Sequence, residues 1–391
     1  MARGHRPSRA HELAEVARLA DTSTESVRAF FFRPGRLSVG LRQRIADAVA
    51  ATGYRPGTST KRLLDGVRVG FQLPRMAPGS TVSPVMSELL QRLVVAVQRA
   101  GGLLVPFVVD PPVPPDLDVR GGTAVERESP HLGEGGWVRT YEQSLAPEAY
   151  RDVLRKHGVS AFVLGDQRVD DARIAAMAED GVPIVGLGEV FTRRSSGEAQ
   201  LDADASFVAS DYRAGVAALV QSLTDAGCSR LAHVRFADDG SGVPVSRRAA
   251  VLAAMGDQPD LAIHYEDSWT GRPAGALDRF LAEHRPEGVV CDSDELANLV
   301  WLAAERVGLQ PGRQAGAGRI IVTGVDDAPV RRHRWPSLTL DYEAFMAAVV
   351  EILIKQRGSD RGVHQSYVPP VMVGPLGRDP DERLPVPPAQ R

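Results

Sequence analysis

Cysteine is scarce in this 391-residue chain: only Cys228 and Cys291 occur, far apart and with no CxxC or CxxH neighbour. That spacing argues against a structural zinc site. Two solitary thiols suit a reducing cytosol, where free cysteine packs as a small apolar residue. No apolar run is long enough to span a bilayer. The opening MARGHRPSRAHE carries charge with no apolar stretch behind it, so neither a membrane span nor a secretory leader is expected. The signature loops of common enzymes are missing as well: no P-loop, GxSxG or HExxH occurs, and the histidines are scattered. GLGEVF (186–191) lacks the third glycine of a dinucleotide-binding loop, and GAGRII (316–321) runs into a strand instead of a helix. These absences predict a cytoplasmic protein that is not an enzyme and uses no metal or cofactor. A free solute-binding protein would need the leader that is lacking.

What is present is ordinary in amount and uneven in placement. Apolar residues make up 43% and charged residues 24%, the composition of a water-soluble globular protein, and the length argues for about two to three domains. Residues 1–64 hold 12 Lys+Arg against five Asp+Glu, a charge of +7, which leaves −10 on the remainder. A small basic head on an acidic body is the electrostatic footprint of a nucleic-acid module joined to something else.

Within the head, Leu13, Val16, Ala17 and Ala20 recur at i, i+3, i+4, i+7, one face of a short helix. Thr22-Ser23-Thr24-Glu25 reads as a capping box, a hydroxyl followed three residues later by a carboxylate. A second helix then shows Val27, Phe30 and Phe31 to the same core, and Asp21 between the two tolerates a left-handed turn. Small Ala17 and Ala20 let the helices cross closely. A third helix starts at the plausible cap Ser38 and turns Leu41, Ile45, Ala48 and Val49 inward. Three short helices with a basic surface satisfy a helix-turn-helix, although a generic three-helix bundle has the same periodicity.

Glu15-Val16-Ala17-Arg18-Leu19-Ala20, Ser23-x-x-Ser26-Val27 and Gly53-Tyr54-Arg55-Pro56 resemble the DNA-binding head of the lactose-repressor (LacI) family. That family typically reads DVARLAGVS-x-x-TVSRVLN, then a third helix and GYRPN. The match runs without a gap to Phe32, and a weaker likeness extends over most of the remaining chain. Here the family's Ser-Arg after the central valine is Arg28-Ala29, its glycine is Asp21, and its asparagine after Tyr-Arg-Pro is Gly57. The resemblance implies that Thr24, Glu25 and Ala29 face base edges, with Ser26, Arg28 and Tyr54 completing the DNA-contacting set. Glu25 can accept from a cytosine amino group or serve the capping box, and Ala29 offers only a methyl contact. In TSTKRLLDG (58–66) the resemblance implies a hinge helix that orders on DNA, Leu63 being the minor-groove wedge and Lys61 and Arg62 the phosphate contacts. A plain flexible linker is the alternative reading of that stretch.

After the hinge, short apolar runs alternate with helical patterns: VRVGFQLP (67–74), a helix over 85–100, LLVPFVV (103–109), a helix over 147–157, AFVLG, a helix over 171–180, PIVGLG. A second series runs from Asp211 through LAHVRF, AIHYE, GVVCD and RIIVTGVD with helices between. Strand and helix alternating in this way predict an α/β fold with two parallel sheets. With the resemblance, this becomes a helix-turn-helix head on a bilobed periplasmic-binding-protein-like effector domain. The expected organisation is a head at 1–57 and a hinge at 58–66. The N-lobe takes 67–190 and 341–366, with a mobile insertion at 110–144 rich in proline, glycine and charge. The C-lobe takes 191–340 and 367–378, and 379–391 forms a disordered tail.

The resemblance also implies an effector site between the lobes. Arg247 (or Arg248, if the register slips by one), Asp294 in CDSDELA and Asp326 in TGVDD match its ligand-binding positions. Met86 stands in Ser83-Pro84-Val85-Met86, where the family has NPFF, so aromatic stacking is lost. An arginine and carboxylates can hold vicinal hydroxyls of a sugar-like metabolite; the same residues could equally cap helices or bridge lobes. The reading is a repressor acting as a homodimer on a pseudo-palindromic double-stranded operator under a small polar effector. Its rivals are an effector-independent or protein-controlled regulator, and a cytosolic binding or enzymatic protein whose head is an interaction bundle.

Overall fold

The computed structural model describes residues 9–32, 37–52, 64–73, 84–109, 146–235, 240–255, 275–331, 334–357, 362–376, 378–379 and 381–386. The head comprises α1 (Arg9–Leu19), α2 (Thr24–Phe32) and α3 (Val39–Thr52). Val16, Ala17, Ala20, Val27, Ile45 and Ala48 are buried together, with Phe30, Leu37, Leu41 and Val49 packed on them. Asp21 takes the left-handed conformation at φ 48°, and the Thr22 N–H donates to the Ala17 carbonyl at 2.9 Å, closing α1. That turn moves the cap of α2 one residue on from its expected place. Ser23 Oγ, not Thr22, accepts from the Ser26 N–H at 3.0 Å, and Ser26 Oγ lies 3.0 Å from it. The expected Thr22–Glu25 box is therefore replaced by a Ser23–Ser26 cap, and Glu25 is exposed. Ser38 caps α3 as expected, accepting from the Leu41 N–H at 3.3 Å.

The body is built on two sheets. In the first, six parallel strands stand in the order β13-β7-β4-β3-β1-β2: β1 (Arg68–Gln72), β2 (Leu103–Phe107), β3 (Ala161–Leu164), β4 (Ile184–Leu187), β7 (Phe207–Ser210) and β13 (Gln365–Val368). Helices α4 (Pro84–Arg99) and α11 (Tyr342–Arg357) cover one face, and α5 (Pro147–His157) and α6 (Ala172–Glu179) cover the other. Strands covered on both faces must be apolar throughout, which is why AFVL, IVGL and FVAS are buried along their whole lengths.

The second sheet runs β15-β14-β12-β11-β9-β8, with a short β10 (Gln310–Gly312) beside β11. Its strands are β8 (Leu231–Val234), β9 (Gly288–Cys291), β11 (Arg319–Val325), β12 (Ser337–Thr339), β14 (Val371–Val373) and β15 (Arg383–Pro385). β8 to β12 pair in parallel, and β14 and β15 pair antiparallel. Helices α7 (Tyr212–Asp225) and α8 (Gly242–Met255) pack on one face, and α9 (Ala276–His284) and α10 (Asp294–Arg306) pack on the other. A separate hairpin joins β5 (Phe191–Arg193) to β6 (Ala199–Leu201).

The lobe boundaries differ from the expected ones in three places. β7 belongs to the first sheet, so the chain leaves that lobe after Ser210 instead of at residue 190. β13 keeps it there until Val368. Part of the tail expected to be disordered forms β15, with Leu384 opposite Met372, because Val386 and Met372 bury apolar surface there. The hinge also ends early, since Leu64 is fully buried in the first-lobe core and its N–H donates to the Ala100 carbonyl at 3.0 Å. The 110–144 insertion, the strand expected at AIHYE, Tyr54, Lys61, Arg62 and Leu63 lie outside the described residues.

Candidate functional site

Both sheets direct the carboxyl ends of their parallel strands toward the seam between the lobes, the edge at which open α/β sheets present ligand-binding groups. The lobes meet there through backbone. The Val169 N–H donates to the Gly240 carbonyl at 2.9 Å, and the Gly242 N–H donates to the Gln167 carbonyl at 3.2 Å. Side chains add to the seam: Ser246 on α8 donates its hydroxyl to Glu189, which follows β4, and the Tyr367 hydroxyl donates to the other Glu189 oxygen at 2.8 Å.

On the second-lobe side Arg247 projects from α8 and is 6% exposed. Its guanidinium donates to Asp326 Oδ1 at 3.0 Å, to the Tyr212 hydroxyl at 3.0 Å and to the Asp292 carbonyl oxygen. It also lies 5.0 Å from the centre of the Tyr212 ring, within cation–π range. Burial raises the Asp326 carboxyl above its ordinary range, and Arg247 offsets only part of that rise. The backbone at Asp326 and Asp327 is left-handed, φ 100° and 52°, strain of the kind that persists only where surrounding contacts fix it.

Asp294 supplies those contacts. It is fully buried and receives hydrogen bonds from Trp335 Nε1 at 2.7 Å, the Ala328 N–H at 2.7 Å and Ser337 Oγ at 3.0 Å. A Cβ on Gly324 would stand 2.0 Å from its Oδ1, so only glycine lets the carboxylate in. Burial lifts this carboxyl to about 7 against the pull of Trp335. Arg247 and Asp326 are therefore brought together as expected. Asp294 is not turned to the same point; it holds the loop that carries Asp326. Arg248 is the neighbour that this buried network leaves aside. Met86 is half-buried against the first-lobe core, its Cε beside Gly165 at the end of β3.

The first lobe contributes a network that sequence reasoning missed. Arg173, fully buried, donates to both oxygens of Asp171, to Asp166 Oδ1 at 3.2 Å, to Gln72 Oε1 at 3.0 Å and to the Tyr150 hydroxyl at 3.1 Å. Burial raises the Tyr150 hydroxyl well above its usual value. The local signal, Asp171-Ala172-Arg173 at a helix start, was readable; Gln72 and Tyr150 are brought to it only by the fold. In the head, Thr24 and Glu25 are exposed at the start of α2, Ser26 and Ala29 are half-buried, and Arg28 occupies a position on the same helix. Arg42 on α3 pairs with Asp341 through both guanidinium nitrogens, one at 2.9 Å, and tethers the head to the body. Among the described residues no group of His, Cys, Asp and Glu is placed to hold a metal ion, and no helix is long and apolar enough to cross a membrane.

Residues 138–327 match the family of periplasmic binding proteins and sugar binding domain of LacI family. Among solved structures, the transcriptional regulator CelR in its cellobiose complex is 17% identical, with a TM-score of 0.57 over 95% of this chain and 100% of that one. The lac repressor dimer bound to operator and the anti-inducer ONPF is 17% identical, with a TM-score of 0.54 over 95% of this chain and 97% of that one. A LacI-family regulatory protein from Chloroflexus aggregans is 19% identical, TM-score 0.56, over 81% and 99%. At these identities the likeness establishes the fold, a helix-turn-helix head with a bilobed periplasmic-binding-protein-like body. No curated protein sequence matches the chain significantly.

Proposed function

We propose, from the membership of residues 138–327 in the family of periplasmic binding proteins and LacI sugar-binding domains, that the chain is a sequence-specific DNA-binding transcription regulator. In this reading it acts in the cytoplasm as a repressor and binds a pseudo-palindromic operator as a homodimer. A small polar, sugar-like metabolite held between the lobes modulates its affinity. The observation that carries the reading is the capped, left-handed turn between α1 and α2, which leaves the start of α2 exposed as a groove-reading element would need to be, on a body whose second lobe pairs Arg247 of α8 with Asp326 just beyond β11. Thr24, Glu25, Ser26, Arg28 and Ala29 read or border bases. Tyr54, Lys61 and Arg62 meet the backbone, and Leu63 enters the minor groove. Arg247 and Asp326 bind the effector, Met86 borders it from the first lobe, and Asp294 supports it.

Selection of binding sites from random DNA with the intact chain tests this, followed by removal of residues 1–63. Leu64 must stay, because it is part of the body core. The truncated protein should keep its fold and lose salt-dependent, sequence-selective binding. Retention of the selected site at unchanged affinity would overturn the assignment. A second reading, control by a protein partner or by dimerisation without a metabolite, draws on Arg247 and Asp326 already satisfying each other.

A further inference from the structure

Past the end of β3 the peptide groups of the chain are sorted by side. The Arg168 N–H donates to Asp171 Oδ2 at 3.0 Å and the Asp170 N–H donates to the Phe191 carbonyl at 2.9 Å, both within the first lobe. The groups between them turn to the second lobe: the Gln167 carbonyl accepts from the Gly242 N–H, and the Val169 N–H donates to the Gly240 carbonyl. Arg168 and Ser241 thereby form an isolated antiparallel bridge. Its two hydrogen bonds flank the pair instead of joining its members, the register in which facing Cα atoms come to about 4.5 Å and side chains lie closest. Each half is prepared in its own lobe. Asp170 is left-handed at φ 60°, and its carboxylate fixes that turn by accepting from the Thr192 hydroxyl at 2.9 Å and the Arg193 N–H at 2.8 Å on the β5–β6 hairpin. Gly242 opens α8, so its N–H has no carbonyl within the helix to meet, and the other lobe supplies one.

The place of the bridge in the two sheets gives it leverage. The chain crosses between the lobes at β7 and β13 of the first sheet and at β12 and β14 of the second. The bridge follows β3, two strands from β7, and β8, three strands from β12. At about 4.8 Å per strand it stands roughly 10 Å and 14 Å to the side of those crossings, and β11, which leads to Asp326, lies between. The fit is close: a Cβ on Gly242 would come within 2.9 Å of the Glu189 carbonyl oxygen and 3.4 Å of the Phe191 ring, both of the first lobe. Ser246, one turn further along α8, donates to Glu189. Two backbone bonds and one hydroxyl are few, and water takes over each as it breaks, so the contact is releasable.

We propose that the Arg168–Ser241 bridge is a latch holding the lobes together on the side away from their connecting segments, and that its release, not a drawing-together of the lobes, is the movement by which the body acts on the head. The first half concerns the body alone; the second rests on the reading of the chain as a DNA-binding regulator. The shut seam is held by the chain's own groups, the backbone bridge together with Glu189 bound by Ser246 and Tyr367. A molecule that favours the shut arrangement adds little to what is already in place. One that binds better to parted lobes shifts the equilibrium by the difference in its two affinities.

Arg168→Cys with Ser241→Cys in the full chain tests the first half. Facing cysteines in this register lie within disulfide reach, and the native Cys228 and Cys291 are buried. With glutathione disulfide as oxidant the pair should close, so that alkylation in denaturant finds two thiols instead of four. Adding Gly242→Ala should slow closure at least tenfold: the new methyl meets Glu189 across the seam, while alanine suits α8 itself better than glycine. Failure of the pair to close, or closure at the same rate with Gly242→Ala, would overturn the latch. The second half is read on the operator selected from random DNA. The crosslinked chain should bind it as wild type does, and Gly242→Ala should shift the affinity at least fivefold. Equal affinity in all three would overturn the coupling to the head. A wild-type chain that selects no operator would remove the regulator reading, and the crosslinking rates would still decide the latch.

Discussion

Asp294→Asn isolates one buried carboxyl whose protonation the fold controls. In the native state this group sits at about 7, against an ordinary value of 3.8. A group whose folded value is raised stabilises the fold fully below the unfolded value, and that contribution is lost as pH rises toward the folded value. The window is therefore pH 4 to 7: the unfolded chain releases this proton through that range and the native protein does not. At about 1.4 kcal/mol per tenfold, the interval is worth roughly 4 kcal/mol of unfolding free energy. Asparagine cannot titrate. It also places an amide N–H near the Ala328 N–H or Trp335 Nε1, which donate to the two carboxyl oxygens, so the variant is destabilised by about 1–3 kcal/mol at low pH. The measurement is urea unfolding followed by tryptophan fluorescence, Trp335 being a direct partner of Asp294, at half-unit steps from pH 4 to 8. The difference should favour wild type by about 1–3 kcal/mol near pH 4, fall steadily through zero as pH rises, and level above about pH 7 with the variant the more stable. Ion-paired carboxylates elsewhere pull the absolute curves the other way, which is why the difference is the quantity to follow. Parallel curves across the window would refute the reasoning.

Other expectations concern the head. Arg42 and Asp341 are 11% and 14% exposed, so Arg42→Gln or Asp341→Asn leaves a largely desolvated partner unpaired, at a cost on the order of 2 kcal/mol; amide hydrogen exchange across α3 should speed up in each single variant and slow again in the charge-swapped double variant Arg42→Asp with Asp341→Arg. Leu63→Ala should weaken binding to the selected operator by a few kcal/mol and leave random duplex binding nearly unchanged, since a wedge contributes only where the site is bent; equal losses on both would mark the segment as a plain linker.

The alternation of strands and helices was legible because apolar runs buried on both faces leave little else to read. The helix expected over 147–157 is α5, and the strands expected at AFVLG and GVVCD are β3 and β9. The β5–β6 hairpin and β10, β12 and β14 escaped because they are three residues each, too short to show a period. The lobe boundary was misplaced because β7, the four-residue FVAS, was not read as a strand, and nothing local says which sheet it joins. Arg247 and Asp326 were reached by resemblance and do meet. The role of Asp294 was not legible, because it depends on Trp335, 41 residues on, and on the missing Cβ of Gly324. Arg173 was overlooked for the same reason: its acceptors come together from β1, α5 and the turn before α6. The cap of α2 shifted by a single residue because Asp21 took the left-handed position, a choice that residue type permits without dictating.

The chain passes between the lobes after Ser210, after Thr339 and after Val368. These passages are not independent threads: the Asp211 N–H donates to the Val368 carbonyl at 2.9 Å, and Thr339 at the end of β12 pairs with Val371 at the start of β14. Three cords bound side by side resist stretching and sliding and leave bending as the easy deformation. The head is moored by Arg42 to Asp341, on the second of these cords. The mooring thus sits close to the pivot, where a given rotation moves an attached body least in distance and fully in angle. If the proposed function holds, a change in the cleft would reach the head as a tilt, to which the register of two heads on one duplex would be acutely sensitive.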